Sequence, residues 1–111
     1  MTDRISFAPG QVVTVFRSRL RDEAAPEFGE LAAEMLEAAR SMPGFVDYKV
    51  YFADDGERVS VIVFDRLESQ RAWAADPRHR AAQQAGRDRF YSEYSLQVSM
   101  CVEAWEFPAV G

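Results

Sequence analysis

Asparagine is missing from this 111-residue sequence, cysteine and histidine occur once each, as Cys101 and His79, and Lys49 is the single lysine beside twelve arginines. One cysteine excludes an intrachain disulfide and a thiolate zinc site, and one histidine excludes a multi-histidine metal site within one chain. The expectation is a protein with no metal. Without asparagine no such amide is available to orient a substrate, and a Schiff-base mechanism would rest on Lys49 alone. No glycine-rich loop follows a strand, so the nucleotide and flavin fingerprints are missing, and neither a serine elbow nor a Cys/His dyad signature is present. No window approaches the ~18–20 apolar residues of a membrane span, and the N-terminus lacks the basic and apolar pattern of a signal peptide. A cytoplasmic chain without a membrane partner is expected. Thirteen Lys and Arg against eighteen Asp and Glu give a net charge of −5. Such a chain has no bulk attraction for phosphate backbones, so nucleic acid is not an expected partner.

What is present is an ordinary globular balance, with 48% hydrophobic and 28% charged residues. A chain of this size buries roughly two-thirds of its surface on folding and has room for one domain. Residues 1–10 carry no periodicity and read as a loose arm, residues 11–107 as the domain, and residues 108–111 as a tail. Gln11 to Arg19 is rich in β-branched residues and reads as a strand. Apolar residues at steps of three and four from Ala24 to Met42 define a helix, with Asp22 as a possible cap, Pro26 in the first turn and Pro43-Gly44 after its end. Phe45–Phe52 and Arg58–Asp65 form a hairpin about Asp54-Asp55-Gly56. Leu67 to Ala75 reads as a short helix. Asp76-Pro77 supplies an N-cap and a first helical residue for another, running to about Arg89. Tyr94 to Phe107 alternates as a long last strand.

The order β-α-β-β-α-β is the ferredoxin-like split unit, an α+β fold with a four-stranded antiparallel sheet and helices on one face. Val59, Val61 and Val63 lie on one side of their strand, Ile62 and Phe64 on the other. Both faces are apolar, so both need cover. Helices cover one, and a second subunit is the simplest cover for the other, which predicts a homodimer.

His79, Gln83, Gly86, Arg87 and Phe90 recur on one stripe of the last helix. They form either a pocket wall, with His79 as base or hydrogen-bond donor and Arg87 as partner for an anionic group, or a solvated stripe. At the first turn the helix dipole favours neutral imidazole. Phe90, Tyr91 and Tyr94 bracket the entry to the last strand, Tyr48 and Tyr51 lie on the second strand, and Trp73 on the short helix. These aromatics either hold a flat ligand or form core and dimer interface. Met35, Met42 and Met100 read as core fillers, and Cys101 as a small buried hydrophobe.

Three segments carry a resemblance: MPGFVDYKVYF (42–52), VSVIVFDRLES (59–69) and RAWAADPRHRAAQQAGRDRFYSEY (71–94). The chain resembles the antibiotic-biosynthesis monooxygenase family, within the dimeric α+β barrel superfamily. The resemblance implies a homodimer whose two sheets pack into a barrel, with a pocket between each sheet and its own helices. It further implies cofactor-independent oxygenation of a phenolic polyketide or quinol, in which the substrate's own anion reduces O2. It carries His79, Tyr91 and Tyr94 as catalytic candidates and Trp73, Gln83, Arg87, Phe90 and Phe64 as substrate-binding candidates. Family oxygenases often use an asparagine in the site, and this chain has none. Haem-degrading relatives use an asparagine on the first strand and an axial histidine on the second helix. Those positions fall here near Phe16 or Arg17 and near Gln83, which disfavours haem. The superfamily also holds isomerases, cyclases and ligand binders without turnover, the alternative expectations for the same small aromatic substrate or ligand.

Overall fold

The computed structural model describes residues 5–108. Of the expected arm and tail, residues 1–4 and 109–111 lie outside the described residues. The chain runs β1 (Val12–Leu20), α1 (Ala25–Arg40), β2 (Phe45–Phe52), β3 (Arg58–Phe64), α2 (Leu67–Ala75), α3 (Pro77–Ala85), a π-helical turn (Gly86–Phe90) and β4 (Tyr91–Met100). The four strands form one antiparallel sheet in the order β2-β3-β1-β4. This is the ferredoxin-like α+β architecture that the element order predicts.

Pairing register decides which side chains meet the helices. Thr14 lies opposite Ile62 and Val98, and Phe16 lies opposite Ser60 and Leu96. Tyr48 faces Ile62 from the other neighbour. These residues share the helix side. Val13, Val15, Val59, Val61 and Val63 alternate with them on the opposite side. A bulge between Phe45 and Asp47 keeps Phe45 opposite Phe64.

Two apolar clusters pin the helices to the sheet. Ala24, Phe28 and Leu31 of α1 pack with Ala82, Phe90 and Tyr91. Ala39 packs with Ile62, Phe64 and Trp73. Phe16 is packed against both clusters. Gly44 turns the chain into β2 at φ +83, in the left-handed region that favours glycine. Its carbonyl accepts from the Asp65 N–H at 2.8 Å. The Ser69 hydroxyl donates to the Asp65 carboxylate at 2.6 Å, so this corner also fixes the start of α2.

Some expected boundaries move. Asp22 does not cap α1; the N-cap is Ala24, without a side-chain bond, and the first turn carries Pro26. Asp76 does cap α3, accepting from the Arg78 N–H at 2.9 Å. The last helix ends in a π turn because the Tyr91 ring packs directly on Gly86 and leaves no room for a Cβ. β4 starts at Tyr91 and stops at Met100, where its partner β1 begins at Val12. Cys101 still bonds through its backbone to Gly10 and Gln11, and residues 102–106 continue outside the sheet. Met100 is therefore exposed rather than a core filler, and Cys101 is only half-buried.

Candidate functional site

The helix side of the sheet and the helices above it do not close completely. Between them is a cavity that gives a water centre about 90 Å³ in which to sit. One water requires ~10–15 Å³ by the same measure, so the space admits a larger ligand. Strands β1 and β3 lay its floor with Thr14, Phe16, Arg58, Ser60 and Ile62. Gln70 and Trp73 of α2, with His79 and Gln83 of α3, form one wall. Tyr48, Tyr91, Tyr94 and Leu96 close it from the sheet edges.

Trp73 is clamped between Phe64, at 5.3 Å between ring centroids, and His79, at 4.2 Å. Helix α2 reaches this position because Trp73 and Gln70 share its buried side, one turn apart. His79 lies there because Asp76 and Pro77 start a new helix at the corner and aim its first turn back at Trp73. Burial lowers the His79 pKa below its ordinary value, with the nearby Asp76 carboxylate acting in the opposite direction. The imidazole is neutral at pH 7, as its first-turn position predicts, although desolvation is the dominant cause.

At the other wall Phe16 stacks on Tyr94 at 5.2 Å and tilts against Tyr91 at 5.5 Å. Burial raises the Tyr91 pKa to about 12 and also raises Tyr48. Both phenols stay protonated and serve as hydrogen-bond donors across the physiological range. Among the described residues, the buried Thr14 Oγ1 and Trp73 Nε1 have no hydrogen-bond partner, and Ser60 Oγ has the Tyr48 hydroxyl within reach. All three belong to cavity-lining residues. Buried polar atoms left unpaired in this way can be satisfied by a bound molecule.

Of the residues singled out in the sequence, Trp73, His79, Gln83, Tyr91 and Tyr94 come together around the cavity. Arg87, Phe90 and Phe64 do not line it. Arg87 is exposed and donates to the Tyr94 hydroxyl at 3.1 Å and to Gln84 at 2.8 Å. Phe90 is buried edge-on against Phe28. Phe64 lies behind Trp73 with no exposed surface. Tyr48, named among the aromatics, lines the cavity and Tyr51 does not, while Thr14, Arg58, Ser60 and Gln70 join the lining without having been picked as site residues. Their signal is polarity out of place: Thr14, Arg58 and Ser60 fall on the strand side that the helices cover. Among the described residues no three His, Cys, Asp or Glu side chains converge where they could hold a metal. No described helix is long and apolar enough to cross a membrane.

The fold recurs in solved structures. The chain superimposes on SnoaB, a cofactor-independent oxygenase from Streptomyces nogalater, with a TM-score of 0.74 and 21% identity, covering 91% of this chain and 99% of that one. It superimposes on Rv0793 from Mycobacterium tuberculosis with a TM-score of 0.75 and 17% identity, over 84% and 96% of the two chains. The uncharacterised protein YqjZ of Bacillus subtilis (strain 168) is 28% identical over 85 residues, which cover 77% of this chain and 75% of that protein. The family model for antibiotic biosynthesis monooxygenases matches residues 11–85, about two-thirds of the sequence, and the chain belongs to that family.

Proposed function

We propose that this protein is a cofactor-independent monooxygenase of an aromatic, quinol-like small molecule. The observation that carries the reading is the cavity itself: an aromatic clamp of Trp73 and His79 faces phenol donors across a largely apolar space, in a member of a monooxygenase family. With its faces covered by Phe64 and His79, Trp73 meets a ligand at its edge, where Nε1–H still lacks an acceptor. Neutral His79 takes the phenolic proton of the substrate, and the Tyr91 hydroxyl, held protonated by burial, donates to the oxyanion that results, with the Tyr94 hydroxyl beside it. Burial of that anion away from water raises its tendency to reduce O2, so the electrons come from the substrate. One oxygen atom enters the ring, which leaves at the quinone level and so supplies all four electrons, and the other oxygen leaves as water. Neither haem nor a metal is assigned a part in this scheme, and the position at which haem-degrading relatives carry their axial histidine is occupied by Gln83.

The functional form in this reading is a homodimer, with the valine face of the sheet covered by a second copy. An oxygen electrode tests the activity with a panel of hydroquinones and anthrone-like phenols. Uptake above the rate of autoxidation, lost in Trp73→Ala, supports the reading. Uptake no faster than the protein-free control for every compound overturns it.

A further inference from the structure

Eighteen Asp and Glu residues make this an acidic chain. Its cavity is nevertheless lined by no carboxylate and by one arginine, Arg58 at the start of β3. Among the described residues Arg58 forms no ion pair; its guanidinium lies 5.0 Å from the centroid of the Phe28 ring. That contact orders the side chain without neutralising it. The charge reaches the cavity interior, since it partly offsets the burial that raises Tyr48 and Tyr91.

Two further donors flank this cation. Ser60 follows Arg58 by two residues and so shares its side of β3, and Ser18 lies directly opposite Arg58 on β1. Both hydroxyls are 2% exposed; Ser60 lines the cavity within hydrogen-bonding reach of the Tyr48 hydroxyl, and Ser18 lies outside the lining. A guanidinium beside the Ser60 hydroxyl and the Tyr48 phenol is a carboxylate-binding constellation, because an ionised oxygen can accept from all three. The aromatic clamp lies toward the other end of the same strand: Ile62 packs with Trp73, and four residues of β3 span about 13 Å. Acid and ring are therefore recognised at opposite ends of one elongated space.

We propose that the cavity selects an aromatic carboxylic acid, with the reacting ring against Trp73 and His79 and a carboxylate at the far end of the molecule paired with Arg58 and Ser60. This deepens the oxygenase reading, and it rests on that reading only in taking the cavity as the binding site. The permanent negative charge gives orientation, since it fixes which end of a flat molecule meets His79. It also rejects neutral aromatics of the same shape, which would leave a partly buried cation unpaired.

The test uses 6-hydroxy-2-naphthoate and its methyl ester, which carry the hydroxyl and the acid function at opposite ends of one ring system. Titration calorimetry under nitrogen reads binding without turnover. The wild-type protein is expected to bind the acid about tenfold or more tightly than the ester. Arg58→Gln is expected to abolish that preference by weakening the acid about tenfold or more without weakening the ester. Arg58→Met keeps the apolar stem over Phe28 and replaces Gln as the variant should Gln unfold the chain. Equal affinity for the two compounds, tighter binding of the ester, or no binding of either by the wild-type protein overturns the proposal. So does an acid preference that survives in a folded Arg58 variant. Oxygen uptake from a neutral quinol without acid preference would sink this proposal and leave the oxygenase reading standing. Acid preference without oxygen uptake from any phenol would do the reverse.

Discussion

His79 is held neutral chiefly by burial against Trp73, and that has a thermodynamic consequence besides a chemical one. Its folded pKa lies below its ordinary value of 6.5. Between those two values the unfolded chain takes up a proton that the folded chain refuses. The contribution of His79 is thus fully present above about pH 6.5 and is lost as pH falls through that window toward the lower folded value. Thermal melts should fall between pH 7.5 and 5.5 in the wild-type protein and fall less in His79→Gln. Asp55, Glu57 and Asp76 are held below their ordinary values by bonds to Arg19, Arg17 and Arg78. They titrate in a more acid range, so they do not account for a slope in this window. An equal slope in both proteins would show that His79 is not the group responsible. The same shift bears on turnover. With a confirmed substrate, kcat/KM should rise with pH through a pKa below 6.5 and level off by neutrality, and His79→Ala should lower kcat by roughly 10²–10⁴-fold. Unchanged turnover in His79→Ala would remove the residue from the chemistry.

Elements place this residue pair more than local propensity does. Helices α2 and α3 have nine residues each, too short to be stable alone, and they hold their angle through the Asp76 cap and the Gly44 corner. Gly44→Ala combines a left-handed φ with direct overlap on Ser69 and Asp65. It should destabilise the fold by about 2 kcal/mol and lower Tm by several degrees. Because the same corner fixes α2, naphthoate affinity should weaken together with Tm. A melt within one degree of wild type would contradict the constraint. Gly86 was legible only as one member of a helical stripe, whereas its role comes from the Tyr91 ring lying where a Cβ would stand. That contact spans a helix end and a strand start, and no periodicity encodes it. The valine alternation in β3 and the Asp76-Pro77 start did show the sheet sides and the helix boundary, since both follow from local rules. Trp73 and His79 were readable as candidates for the same reason. Arg58 and Ser60 were not, because their importance depends on which strand side the helices cover. Phe64 and Phe90 misled as pocket residues because an apolar ring on the correct side can lie behind the lining as easily as within it.

The molecule as a whole is less compact than its length requires, with a Cα radius of gyration of 14.9 Å against about 13 Å for a compact domain of this size. The excess lies at β4 and beyond. Leu96, Val98 and Met100 are on the helix side of the sheet but are 43%, 43% and 55% exposed, and Val102 and Trp105 are 82% and 85% exposed. Helices α1 and α3 pack on Tyr91 and Tyr94 at the start of β4 and leave its far end, from Leu96 to Met100, uncovered. On the opposite side Val13, Val15, Val59 and Val61 are only half-buried, and no helix lies over them. A monomer in water would expose both sets, a large apolar area for one small acidic chain. A second copy set against the valine face buries it symmetrically, and the charged pairs Arg17–Glu57 and Arg19–Asp55 then lie at its border, where they limit register. Light scattering at micromolar concentration should give about twice the 12.6 kDa chain mass. Val61→Glu puts a carboxylate at the centre of that face and should shift the mass to the monomer, because an unpaired charge is costly to bury. The cavity lies on the other side of β3, so a folded Val61→Glu monomer should still quench Trp73 on binding naphthoate unless the partner supports the site. Monomeric mass for the wild-type chain would overturn the dimer, and a Val61→Glu dimer would move the interface from the valine face to the exposed edge of β4.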